Sequence, residues 1–206
     1  MRLNDTSFIV GVTGGVGSGK STVAKMLAEV LPGFLIDADE ISHQVSELPQ
    51  TKARIRQEFG DEVFKGDELN RKKLGKIIFS DPAKRAVLNG IIHPMVKKVF
   101  RELTVEHGDN EYIIYDCPLL IEADLQHDVD LTLLVYVDED LQLERVMTRD
   151  SLNKEDALAK INSQMKLEDK IPLSDLVIYN DSDLEDLKDR VIAAANEITT
   201  IKAWRG

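Results

Sequence analysis

Eight consecutive residues carry the densest chemistry of the chain: Gly14-Gly15-Val16-Gly17-Ser18-Gly19-Lys20-Ser21, which satisfies G-x-x-x-x-G-K-[S/T]. Glycines let a backbone enter positive φ and fold successive N–H groups inward as an anion nest. A helix opening near Lys20 adds its positive N-terminus. Lys20 can bridge β- and γ-phosphates, and the Ser21 hydroxyl can ligate Mg²⁺. A glycine-rich turn with no ligand would show similar composition. Here, however, the pattern follows the apolar run Phe8-Ile9-Val10-Gly11-Val12-Thr13 and precedes helical spacing at Val23, Met26, Leu27, Val30 and Leu31. Strand, loop, helix is the context this motif requires, so a nucleoside-triphosphate site is expected.

Such a loop serves switches, motors and kinases alike. A guanine switch needs D-x-x-G after its third strand, and no Asp here has Gly three residues later. Asn153-Lys154-Glu155-Asp156 does match N-K-x-D, but it follows no buried strand and opens a helical pattern (Ala157, Leu158, Ile161). Asn153 or Ser151 is therefore read as a helix cap. A small-molecule kinase needs an aligner for the acceptor hydroxyl, cations for the moving phosphoryl and a lid against water. Asp37 and Asp39, in Ile36-Asp37-Ala38-Asp39, end the second strand-like run; one of them could instead cap the following helix. Arg145 and Arg149 stand four apart on one helix face, either as lid cations or as solvated charges. Asp116 ends the third strand-like run, as a water-mediated Mg²⁺ ligand or a turn residue. His93-Pro94 interrupts a long helical pattern, as a bend or an acceptor contact.

Five strand-like runs set these residues in place: 8–13, 34–36, Tyr112 to Tyr115, Leu131 to Val137 and Leu176 to Tyr179. Helical stretches alternate with them, which predicts an α/β fold with a five-stranded parallel sheet buried on both faces. About 70 residues separate the second strand from the third, far more than one crossover helix needs. They are helix-patterned almost throughout, notably 83–106 after the start signal Asp81-Pro82. This predicts a helical cover over one side of the binding edge. A second helical, charged stretch, about 139–170, holds Arg145, Arg149 and Lys154.

The chain has 206 residues, with 26 Lys and Arg against 37 Asp and Glu, a net charge of -11. That length fits one domain with an insertion and needs no staple. The acidic balance argues against nucleic acid or an anionic membrane as partner, though not against a small phosphorylated ligand held by a few cations. One cysteine, Cys117, excludes an internal disulfide or a Cys-based zinc cluster. A polar lead and an apolar run of about six are too short for a signal core or a span, so a cytoplasmic protein is expected. No heptad or interface stripe fixes the oligomeric state, which is left at monomer or small homo-oligomer. The tail, 181–206, reads as a packing helix (Leu184, Leu187, Val191, Ile192, Ile198), with Trp204 as a packing residue.

The ordered landmarks together resemble the dephospho-CoA kinase family. Val12-Thr13-Gly14-Gly15-Val16-Gly17-Ser18-Gly19-Lys20-Ser21-Thr22-Val23 is similar to its opening motif, and Ile36-Asp37-Ala38-Asp39 to its second landmark. Leu88-Asn89 with Ile92-His93-Pro94, Pro118-Leu119-Leu120-Ile121-Glu122, Arg145 with Arg149-Asp150 and Gln164, and Val177-Ile178-Tyr179-Asn180 follow in order. The resemblance implies ATP-dependent phosphorylation of the ribose 3′-hydroxyl of dephospho-coenzyme A. It implies Asp39, Lys20 and Arg149 as catalytic groups, and Gly15 to Thr22 with Asn180 for ATP. Asp37, His93, Pro118, Leu119, Glu122 and Arg145 fall on the acceptor side, and Ser21 with Asp116 on Mg²⁺. It also implies a P-loop kinase core (about 7–37, 111–138 and 171–206), a helical acceptor-binding insertion (about 38–110) and a lid (about 139–170). Two positions depart from the pattern. Lys160 stands where an Arg is common, losing bidentate phosphate geometry, and the position of Asp116 is not always acidic.

Overall fold

β-branched and aliphatic runs bounded by glycine and proline become the strands of one sheet. The computed structural model describes residues 7–205; the polar lead, residues 1–6, and Gly206 lie outside the described residues. Strand β1 (Phe8–Gly14) leads into helix α1 (Lys20–Val30) and strand β2 (Gly33–Asp37). Next come α2 (Ala38–Glu47), α3 (Pro49–Phe59), the short strands β3 (Phe64–Lys65) and β4 (Glu68–Leu69), α4 (Arg71–Ser80) and α5 (Pro82–Glu106). The chain continues through β5 (Tyr112–Asp116), β6 (Leu131–Tyr136), α6 (Glu139–Asp150), α7 (Lys154–Ile161), α8 (Leu167–Lys170), β7 (Leu176–Tyr179) and α9 (Leu184–Arg205).

The five long strands form a parallel sheet of order β2-β5-β1-β6-β7. All seven residues of β1 are buried, as its unbroken apolar run requires in a sheet covered on both faces. On one face, Val23, Ala24 and Leu27 of α1 and Leu187, Val191 and Ile198 of α9 pack on Val10, Val12, Leu131, Leu133 and Val135. On the other, Leu134 and Val137 pack with Leu167 of α8, and Leu141 of α6 leans on them. The expected tail helix is thus real, but it is one-sided. Leu184 and Ile192 are exposed, and Trp204 is 86% exposed, which corrects its reading as a packing residue. Ile201 is the last residue of α9 that packs against this core.

Two compact units divide the chain: residues up to Asp37 with those from Leu103 onward, and Ala38–Glu102. The second unit has its own core of Ile55, Phe59, Val63, Leu69, Leu74, Leu88 and Ile91. Asp81 starts α5 as expected: its Oδ1 accepts the N–H of Ala83 and Lys84, at 2.9 and 3.1 Å. Helix α5 then runs unbroken through Pro94, so the expected interruption at His93-Pro94 is absent.

The insertion is also not purely helical. Strands β3 and β4 pair antiparallel through a two-residue turn, with Gly66 at φ 65. Arg56 staples this hairpin, its guanidinium 4.2 Å from the Phe64 ring and donating to Gly66 O at 3.0 Å. Strands of two residues hold no readable period, which is why the sequence pattern passes over them.

Because Leu133 is fully buried at the centre of the sheet, Leu133→Ala is expected to cost about 3 kcal/mol. A urea titration reads this as a lower midpoint at constant slope; a loss below about 1 kcal/mol would contradict a closed core there.

Candidate active site

Parallel register gathers the functional ends of three strands. Asp116 lies level with Val12 of β1 on one side and Asp37 of β2 on the other. The loop leaving β1 therefore opens next to two carboxylates at the carboxyl edge of the sheet, where ligands bind in such folds. Asp39 lies in the first turn of α2 with its side chain exposed, where a carboxylate is favoured by the helix macrodipole.

The loop is built as the motif requires. Gly17 and Gly19 have φ of 80° and 84°, a left-handed conformation that strains any side chain. At Gly19 a Cβ would also collide with the Asn180 carboxamide. Ser18 N–H donates to Gly15 O at 3.1 Å, closing the turn, and Gly19 O receives Val23 N–H at 3.2 Å as α1 begins. Lys20, buried, ion-pairs with buried Asp116. That pair fixes the ammonium at the base of the loop and keeps two buried charges compensated. Ser21 and Thr22 are exposed on the first turn of α1.

Side chains from later in the chain hold the loop from outside. Gln142 of α6, itself buried, donates to Val16 O at 2.8 Å. Gln164 accepts Val16 N–H at 2.8 Å. Asn180, expected as an ATP ligand, spends its Nδ2 on Ser18 O at 2.7 Å. Lys170 is fully buried and bonds Glu122 at 2.9 Å, Pro118 O at 3.0 Å and Gly14 O at 3.4 Å. Glu122, expected on the acceptor side, also accepts Met165 N–H at 3.1 Å. Pro118 O receives Thr13 Oγ1 at 3.2 Å as well, and Leu119 is half-buried beside it in the chain.

Sequence reasoning missed Gln142 and Lys170. Gln142 had a readable signal, being a polar residue one turn before buried Val146 on an inward helix face. Lys170 had none, since a lysine ending a short helix ordinarily reads as solvated.

Arg145 and Arg149 both lie on α6, as expected. Arg149 grips its neighbour Asp150 through two bonds, 2.8 and 3.0 Å, and Lys160 reaches the same carboxylate at 2.8 Å. The hydrogen bonds from Arg149, then from Lys160, hold the Asp150 carboxyl well below the usual carboxylate range, while Asp150 pushes the Arg149 guanidinium up. Ser151 ends α6 in the left-handed region and Asn153 caps α7, accepting Asp156 N–H at 2.8 Å. The N-K-x-D match is thus a helix start.

Within the second unit, half-buried His93 lies mid-way along α5, and burial pushes its pKa below the ordinary value. The unfolded chain then binds a proton first, so the stability His93 contributes is present above about pH 6.5 and is lost as pH falls through its folded value. NMR titration of His93 should give a midpoint below about 6.5. A midpoint at or above that figure would contradict its burial.

Residues 8–186 match the model of the dephospho-CoA kinase (CoaE) family. A dephospho-CoA kinase of Oceanobacillus iheyensis is 44% identical over 188 residues, 88% of this chain and 93% of that one. One from Halalkalibacterium halodurans is 42% identical over 204 residues, 96% of each chain. A crystal structure of a Thermus thermophilus protein superposes with a TM-score of 0.80 at 30% identity, covering 94% of this chain and 98% of that one. With the phosphate loop, the parallel sheet and this agreement along nearly the whole length, the chain belongs to the dephospho-CoA kinase family.

Proposed function

We propose that the chain transfers the γ-phosphoryl group of ATP to the ribose 3′-hydroxyl of dephospho-coenzyme A, giving coenzyme A and ADP, the last step of coenzyme A biosynthesis. The observation that carries this reading is a formed anion nest at Gly14–Lys20, with its lysine held by Asp116, in a chain of this family. A phosphoryl transfer asks little covalent chemistry of the protein; positioning and charge do the work.

The nest amides and the N-terminus of α1 take the β- and γ-phosphates, and Lys20 Nζ, seated at the loop base, faces their oxygens. Asp39 aligns the acceptor hydroxyl and takes its proton as the new O–P bond forms and the bond from γ-phosphorus to ADP breaks. Asp37, His93, Pro118, Leu119 and Arg145 serve the acceptor. Arg149 exchanges Asp150 for phosphate oxygens as the lid engages, a swap between two anions that leaves its charge paired.

The donor set fits Mg²⁺. Ser21 is exposed on the first turn of α1, and Asp116 is a hard oxygen donor level with the start of the loop. Among the described residues no group of three or more His, Cys, Asp or Glu is placed to hold a metal. An ion arriving with ATP and completing its shell from phosphate and water suits this set, with Ser21, and Asp116 through water, as protein ligands. When bound, it supplies neutralisation of phosphate charge.

No helix among the described residues is long and apolar enough to cross a membrane. The lone cysteine is buried, which fits a reducing compartment, and we place the enzyme in the cytoplasm.

ATP consumption with dephospho-CoA, set beside a panel of nucleosides and nucleotides, tests the substrate. Turnover is expected with dephospho-CoA, and turnover with a nucleotide alone would overturn the proposal. Asp39→Asn should lower kcat by about 10² to 10⁴ while ATP binding persists; an unchanged rate would remove Asp39 from the acceptor. Arg149→Ala should lower kcat at least about tenfold at unchanged unfolding midpoint, and full activity would remove it from the phosphates.

A further inference from the structure

The phosphate loop shows an alternation that its motif does not describe. Three carbonyls spaced by two, Gly14 O, Val16 O and Ser18 O, each accept a bond from a side chain of a different element. The donors are Lys170 of α8 at 3.4 Å, Gln142 of α6 at 2.8 Å, and Asn180, just past β7, at 2.7 Å. All three donors are buried, Lys170 fully.

Peptide units are planar, and those of the described residues are all trans, so each carbonyl points opposite to the N–H of the next residue. Holding the carbonyls of residues 14, 16 and 18 on one side therefore turns the amides of Gly15, Gly17 and Gly19 to the other. In a nest the amides converge on the concave side, so the three donors grip the convex one. The positive φ of Gly17 and Gly19 lets the backbone alternate in this way.

Lys170 does more than satisfy one carbonyl. An ammonium has three protons, and here its three partners are Gly14 O, Pro118 O and Glu122 Oε1. Through them it ties the end of β1, the segment after β5 and the return from the lid stretch into one cluster. A fully buried ammonium is tolerated only when so compensated.

We infer that Gln142, Lys170 and Asn180 are positioning residues that hold the alternate carbonyls of the phosphate loop outward, and so present its amides to the triphosphate before any nucleotide arrives. Glu122 acts with them as the counter-charge of Lys170. The inference rests on the nucleotide-binding reading above and adds the groups that pre-organise that site.

Two variants test it. Gln142→Met keeps the side-chain length and removes the donor. Lys170→Met combined with Glu122→Gln removes both charges, so that no buried carboxylate is left unpaired. Titration calorimetry with ATP, and with inorganic tripolyphosphate as a probe lacking the nucleoside, reads the loop directly. Both dissociation constants should rise about three- to tenfold in each variant. In steady-state assays of Gln142→Met, KM for ATP should rise likewise, with KM for dephospho-CoA and kcat within about twofold. Unchanged binding of both probes by Gln142→Met would overturn the inference, and that variant alone decides if the double one does not fold. An equal loss of affinity for ATP and for dephospho-CoA in Gln142→Met would reveal general loosening and also overturn it. Wild-type protein that binds neither probe would instead overturn the nucleotide reading beneath it.

Discussion

A loop that offers its amides to an anion must do something with its carbonyls. Each peptide unit carries both groups in opposite directions, and a buried polar group without a partner is costly. Much of the first unit is arranged around that constraint. The acceptors of residues 14, 16 and 18 point away from the nest and meet Lys170, Gln142 and Asn180, residues that lie more than 120 positions later in the chain. They come within reach because β6 and β7 flank β1 on one side of a parallel sheet, so the segments leaving those strands return to the carboxyl edge where the loop begins.

The other side of β1 supplies the opposite sign. Strand β5 ends in Asp116, level with Val12 and with Asp37 of β2. A one-residue slip there would turn Asp116 into the other face of the sheet and leave Lys20 buried without its counter-charge. The chain's net charge of -11 says nothing about this; a phosphorylated ligand responds to where a few charges stand. Arg149 and Asp150, likewise, form a local charge pair at the end of α6 that the overall balance does not reveal.

The sequence was most readable where chemistry restricts residue type most. The glycines, Lys20 and Ser21 of the loop, the strand runs and the Asp81-Pro82 helix start obey local rules, and each is found where those rules put it. Readability fell where tertiary context decides. Lys170 looks like a surface lysine until three acceptors surround it. Nothing local in the sequence announces that Glu122 bonds Lys170 and Met165 or that Asn180 holds Ser18. The hairpin of β3 and β4 is too short to show a period, and Pro94 lies inside α5 without ending it. Trp204 was misjudged for a simple reason: an aromatic residue near a terminus has no packing partner unless the helix's apolar stripe extends to it.

The central claim is that the nest exists ahead of its ligand, held from outside rather than induced by phosphate. Crystal structures of the protein without nucleotide and with a non-hydrolysable ATP analogue test it most directly. The backbone of residues 14–20 should superpose between the two, with Gly17 and Gly19 near φ of 80° and 84° in both, and with Lys170, Gln142 and Asn180 on the same three carbonyls. A nucleotide-free loop that has collapsed, or in which those carbonyls have turned inward, would contradict it.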